Sequence, residues 1–130
     1  MTGKSPPKPT DAELQMLRVL WAQGPQTVRQ IHEALGNETG YTTTLKILQK
    51  MTDKGLVLRD ESQKSHVYSA AVEAEVAQRQ LVKHLMRVAF GGSPTKLVMQ
   101  ALSEEKATPE ELRQIKTLLR QLEKDTRDLE

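Results

Sequence analysis

The sequence contains no cysteine. This excludes disulfides, zinc fingers built on thiolate ligands and a cysteine nucleophile, and it is compatible with a reducing, cytoplasmic setting. Aromatic residues are nearly as scarce. One Phe, one Trp and two Tyr in 130 residues are too few for the stacking platforms by which single-strand and RNA readers hold bases. No apolar run approaches the roughly 18 residues needed to cross a bilayer, so no membrane insertion is expected. The opening MTGKSPPKPT lacks the apolar stretch of a signal peptide and predicts a disordered arm over residues 1–9. Catalytic signatures are missing too: there is no G-x-S-x-G, no phosphate-binding glycine loop and no pair of acids placed for a cleft. His32, His66 and His84 are scattered, and His32-Glu33 lacks the second His of a metalloprotease helix. The sequence therefore predicts no enzyme, no metal and no other cofactor.

Charge of one sign is also modest. The formal net charge of +2 does not by itself argue for nucleic acid. Residues 1–70 hold nine Lys/Arg against seven Asp/Glu, whereas residues 71–130 hold ten of each. The small basic excess thus sits in the N-terminal part.

Within that part, Thr10-Asp11-Ala12-Glu13 fits a capping box, and a first helix should follow. Leu14, Leu17, Val19, Leu20 and Trp21 are expected on its buried side, with Gly24-Pro25 ending it. Thr27 with Gln30 repeats the capping pattern for a short second helix through Val28, Ile31, Ala34 and Leu35, stopped at Gly36. Asn37 to Gly40 reads as a turn into a third helix, Tyr41 to Lys54. Two short helices around a glycine-containing turn are what a helix-turn-helix requires.

The third helix has two chemistries. Leu45, Ile47, Leu48 and Met51 recur near the 3.6-residue period, and Thr42, Thr43, Lys46, Gln49 and Lys50 fall opposite them. Thr offers a hydroxyl and a methyl to base edges, and Lys reaches guanine acceptors or phosphates. All three Thr, 42 to 44, sit at the helix start, the end that enters the major groove in helix-turn-helix proteins, although three β-branched residues in a row form helix poorly. A solvated polar face would look the same in isolation. Beyond Gly55, Leu56 to Asp60 and His66 to Ala70 read as two strands of a hairpin with a polar tip. Three helices and a hairpin give the winged-helix order, with Arg59 at the hairpin base and Lys64 at its tip placed for phosphates.

From Val72 onward helix formers dominate. Apolar residues at 76, 77, 81, 82, 85, 86 and 88–90 give Ala74 to Phe90 a broad face, which Gly91-Gly92 breaks. Ser93-Pro94 opens a short helix through Leu97, Val98, Ala101 and Leu102. Thr108-Pro109-Glu110-Glu111 opens the last one, in which Leu112, Ile115, Leu119, Leu122, Thr126 and Leu129 form a heptad seam too short to stand alone. Helices with such faces and no sheet beside them predict a dimerisation domain whose core two chains share, with Val76, Leu81, Leu85, Leu112, Ile115, Leu119 and Leu122 contributing. A monomeric three-helix bundle is the alternative. The expected fold class is mainly α with a small β-hairpin: an arm over 1–9, a winged helix-turn-helix over 10–71 and a helical dimerisation domain over 72–130.

Taken together, PTDAELQMLRVLW, TVRQIHEAL, the TTTLKILQKMTDKGLV block, HVYSA and GGSPTKLVMQAL make the chain resemble the BlaI/MecI family of penicillinase repressors from about residue 9 to the end. The resemblance implies a cytoplasmic bacterial repressor, a homodimer on palindromic, double-stranded operator DNA. Thr42, Thr43 and Lys46 match positions that face bases, and Lys50, Arg59 and Lys64 match positions near the backbone. In the β-lactam pathway such repressors are inactivated when a protease linked to a membrane β-lactam sensor cuts the dimerisation domain. The matching bond here is Gln100-Ala101, where those relatives carry Asn-Phe. Copper-responsive relatives carry a cysteine-rich tail, which a chain without Cys is not. One other class stays open on residues alone, a winged helix that meets another protein; a regulator that senses a small molecule or metal would need a ligand pocket or ligand cluster, and the sequence shows neither.

Overall fold

The computed structural model describes residues 8–36 and 39–129. Two compact units are found, Met1–His84 and Leu85–Glu130. Of the expected arm, residues 1–7 lie outside the described residues, as do Asn37 and Glu38 of the expected turn. Pro9, the last residue of that arm, is buried.

In the first unit the local signals act as read. Helix α1 (Asp11–Gln23) starts at Thr10, whose hydroxyl accepts from the Glu13 amide at 3.2 Å while its own N–H donates to the Glu13 carboxylate at 2.9 Å. Strand β1 (Gln26–Thr27) runs straight into α2 (Val28–Ala34), for which Thr27 and Gln30 form the second capping box. Helix α3 (Tyr41–Lys54) ends at Gly55, whose φ of 80° places it in the left-handed region that favours glycine, and the Leu56 amide then closes back on the Met51 carbonyl at 2.9 Å. Strands β2 (Val57–Asp60) and β3 (Val67–Ala70) pair antiparallel, with Arg59 opposite Tyr68 and Asp60 opposite Val67.

Met16, Leu17, Leu20, Ile31, Leu48, Met51, Leu56, Val57 and Tyr68 form one core that joins all three helices to the sheet. Trp21 packs against it half-buried, its Nε1–H donating to the Val72 carbonyl at 2.8 Å. That bond ties α1 to the stretch just before α4 (Ala74–Ala89).

The expected hairpin of β2 and β3 is present, and Gln26 and Thr27, not expected as a strand, pair with Tyr68 and Val67 to extend it to a three-stranded sheet in the order β1-β3-β2. Three other expectations are corrected. Thr44 does not join the exposed threonines; it is fully buried, since a step of about 200° from Thr42 carries it to the core side of α3. On α1 it is Met16 and Glu13 that are buried, while Leu14 and Val19 are only half-buried. Phe90 falls just beyond the end of α4.

Along α4, Ala77 is buried in the winged-helix core and Val76 packs against it, so Val76, expected on a dimer face, spends part of its surface within its own chain. The second unit looks different. Helix α5 (Pro94–Glu104) is capped by Ser93, whose hydroxyl accepts from the Lys96 amide at 3.1 Å, and α6 (Pro109–Asp128) by the Thr108–Glu111 box. The helices are well started, yet neither contains a buried residue.

Candidate nucleic-acid interface

Helix α3 is amphipathic in the sense that matters for recognition. Thr44, Leu48 and Met51 are buried on one side, and Leu45 and Ile47 flank them half-buried. Thr42, Thr43, Lys46, Gln49 and Lys50 are all exposed on the other. Gripped along its apolar side by α1, α2 and β2, the helix presents its polar side as a fixed surface. Its N-cap is Gly40, with no side-chain hydrogen bond. The capping boxes of α1, α2 and α6 use up orphan amides, whereas the first-turn amides of α3 receive no side-chain cap. Asp53, not singled out from the sequence, is exposed on the polar side too, but in the last turn.

The lysines sort by their partners. Lys54 forms an ion pair with Glu13, its Nζ 2.8 and 3.0 Å from the two carboxylate oxygens, and this pins the end of α3 to the start of α1. Burial raises the Glu13 pKa, but the hydrogen bonds from Lys54 and the Thr10 amide outweigh it and hold the carboxyl below its ordinary value. Among the described residues no carboxylate pairs with Lys46, Lys50 or Lys64. These three cations are available to an external anion, and Lys54 is structural.

On the wing, Arg59 is held by Glu61, Nη2 to Oε1 at 2.9 Å. The Asp60 carboxylate accepts from the Ser62 amide at 2.9 Å, which shapes the turn, and the Ser62 side chain, with that amide second, keeps the carboxyl below its usual range. Lys64 lies beyond this turn, exposed. The structure thus brings Thr42, Thr43, Lys46 and Lys50 onto one face, and places Lys64 and Arg59 on the neighbouring wing. Two residues that sequence reasoning passed over stand between them. Arg29 of α2 lies with its guanidinium carbon 5.4 Å from the centre of the Tyr41 ring. Tyr41 itself meets His32 edge-on, with ring centres 5.7 Å apart. Arg29 is the second residue of α2, outside the apolar period that drew attention to that helix.

In the second unit, Leu85, Leu112, Leu119 and Leu122 are exposed to between 42% and 51%, and Ile115 is half-buried; of the expected dimer face, only Leu81 and Val76 lie in the first unit, both half-buried. Gln100 and Ala101 are both exposed, within α5. Among the described residues no cluster of His, Cys, Asp or Glu suits a metal ion, and no helix is long and apolar enough to cross a membrane.

A family model described as penicillinase repressor matches residues 9–121. The transcriptional regulator BlaI, from two strains of Mycobacterium tuberculosis, is 40% identical over 62 residues, 45% of this chain and 45% of that protein. The chain therefore matches less than half the length of those relatives. Among solved structures, apo-NmtR in solution aligns at 27% identity and a TM-score of 0.44, over 66% of this chain and 71% of that one. The crystal structure of AbfR of Staphylococcus epidermidis aligns at 19% identity and a TM-score of 0.44, over 92% and 73%.

Proposed function

The chain belongs to the penicillinase repressor family, whose members are transcriptional regulators and not enzymes, and from that premise we propose that it represses transcription as a homodimer bound to a palindromic operator. The observation that carries this reading is the helix α3 surface, where Thr42, Thr43, Lys46 and Lys50 stand exposed and, among the described residues, without ion-pair partners, opposite a face locked into the core. In this reading Thr42, Thr43 and Lys46 meet base edges, and Lys50, Lys64 and Arg59 meet phosphates.

The second copy is the occupant proposed for the apolar faces of α4, α5 and α6. A heptad seam is self-complementary, and the balanced charge of residues 71–130 puts no net repulsion between two tails. Two recognition helices would then enter successive major grooves about 34 Å apart. Joining them makes the second docking intramolecular, so that splitting the dimer lowers operator affinity ~10²-fold or more. Cleavage at Gln100-Ala101, on the exposed α5, would release the DNA in this way without touching a DNA contact. A protease coupled to a membrane β-lactam sensor is the partner that the family suggests, with a β-lactam-resistance or envelope-stress regulon under control and the cytoplasm as the compartment.

Binding isotherms on the DNA upstream of the protein's own gene, at about 50 and 200 mM salt, test the assignment. Lys46→Ala is expected to relax sequence preference, and Lys64→Ala to weaken all sequences alike and flatten the salt slope by about one. If neither changes, both residues lie outside the interface. A protein that binds no duplex at either salt concentration would instead favour docking of this face on another protein.

A further inference from the structure

Between the first turn of α2, the start of α3 and the wing lies a cleft of about 430 Å³. Arg29, Lys64 and His66 line it, with Tyr41 and Ser65 between them, and among the described lining residues none is acidic. Its existence depends on the two-residue strand β1. Because Thr27 pairs with Val67, the start of α2 is held beside Ser65-His66, and a side chain on α2 shares a cleft with the wing tip.

The arginine in this cleft is positioned. Its guanidinium stacks at cation–π distance over the Tyr41 ring, and His32 braces that ring from its edge. Among the described residues no carboxylate pairs with Arg29. A planar cation propped on an aromatic shelf, with an ammonium and an imidazole across the cleft and hydroxyls at its wall, matches an anion with several acceptor oxygens.

We propose that this cleft is a phosphate seat for the DNA backbone, with Arg29 as its principal ligand and Lys64 and His66 closing on the same phosphate from the wing. The inference rests on the DNA-binding reading above and adds to it a contact that fixes register. A duplex with its groove against α3 runs its flanking strand past the wing, and a phosphate taken between α2 and the wing sets how deeply the helix enters. Arg29 carries no base information in this role.

The test uses the full-length protein and a fluorescent duplex carrying the DNA upstream of its own gene, by anisotropy at about 50 and 200 mM salt. Arg29→Ala should weaken binding to matched and scrambled duplexes by the same factor, about fivefold, and flatten the salt slope by about 0.9 per chain. Arg29→Lys should restore most of the slope, because it keeps the charge. A series of duplexes, each with one neutral methylphosphonate, locates the contact: one position should cost the wild type affinity and leave Arg29→Ala indifferent. If Arg29→Ala keeps the wild-type slope and pays every methylphosphonate penalty that the wild type pays, while Lys46→Ala still weakens binding, the cleft holds no phosphate and the DNA-binding reading survives. Wild-type protein without salt-dependent duplex binding would overturn both.

Discussion

Among the described residues of the first unit two polar side chains are buried, and they are in opposite situations. Glu13 has Lys54, the Thr10 amide and the Thr10 hydroxyl around it, whereas the Thr44 hydroxyl finds no hydrogen-bond partner among the described residues. An unpartnered buried hydroxyl costs about 1–3 kcal/mol. Thr44→Val, nearly the same shape, should therefore raise stability in chemical denaturation by about 1 kcal/mol and leave DNA affinity unchanged. A loss of stability would show that the hydroxyl is partnered after all. Glu13 is the reverse case. Its carboxyl is depressed in the folded protein, so its contribution is fully present above the ordinary value of about 4.3 and is lost as pH falls through the lower folded value. Glu13→Gln should cost roughly 2 kcal/mol near neutral pH and flatten the decline of stability below about pH 4.3. An equally steep acid decline in the variant would remove Glu13 from the linkage. The sequence identified Thr10-Glu13 as a cap, because the cap lies within four residues, but not the ion pair, because Lys54 lies 41 residues away.

At the scale of the element, helix starts and stops are legible in the sequence, whereas the buried side of α1 is only partly so, since Met16 is buried and Leu14 and Val19 are half-buried. The capping boxes at Thr10, Thr27 and Thr108, and the glycine stops after α1 and α3, are decided by neighbours within one turn. Strand β1 was not legible. Two residues, Gln26 and Thr27, carry no alternation, and they become a strand only because Val67 and Tyr68 arrive beside them. With β1 went the reason to notice Arg29. The wing shows a similar limit: Arg59 and Lys64 look alike as sequence, yet Arg59 is engaged with Glu61 and Lys64 is not. An exposed pair of this kind contributes about 0.2–1 kcal/mol. Glu61→Gln should free Arg59 for the backbone and raise duplex affinity by up to about fivefold at low salt, with a steeper salt slope. Unchanged isotherms would mean that Arg59 makes no phosphate contact.

For the molecule as a whole, the two units differ in how far one chain satisfies them. The winged helix closes a core within itself, while α5 and α6 have no buried residue and leave leucines half-exposed on a regular seam. The seam was legible, because heptad spacing is a property of one helix; its partner was not, because nothing in one chain's spacing says whether the cover is another helix of the same chain or a second copy. Leu119→Glu with Leu122→Glu should yield a folded winged helix that sediments as a monomer and binds the duplex ~10²-fold more weakly. A dimer that persists with both charges in place would move the interface elsewhere. The most direct measurement is sedimentation equilibrium of the unmodified protein at micromolar concentration, alone and with a labelled duplex from upstream of its gene. The account predicts a dimer in the absence of DNA and two chains on each duplex; a monomer that binds singly, or no complex, would contradict it.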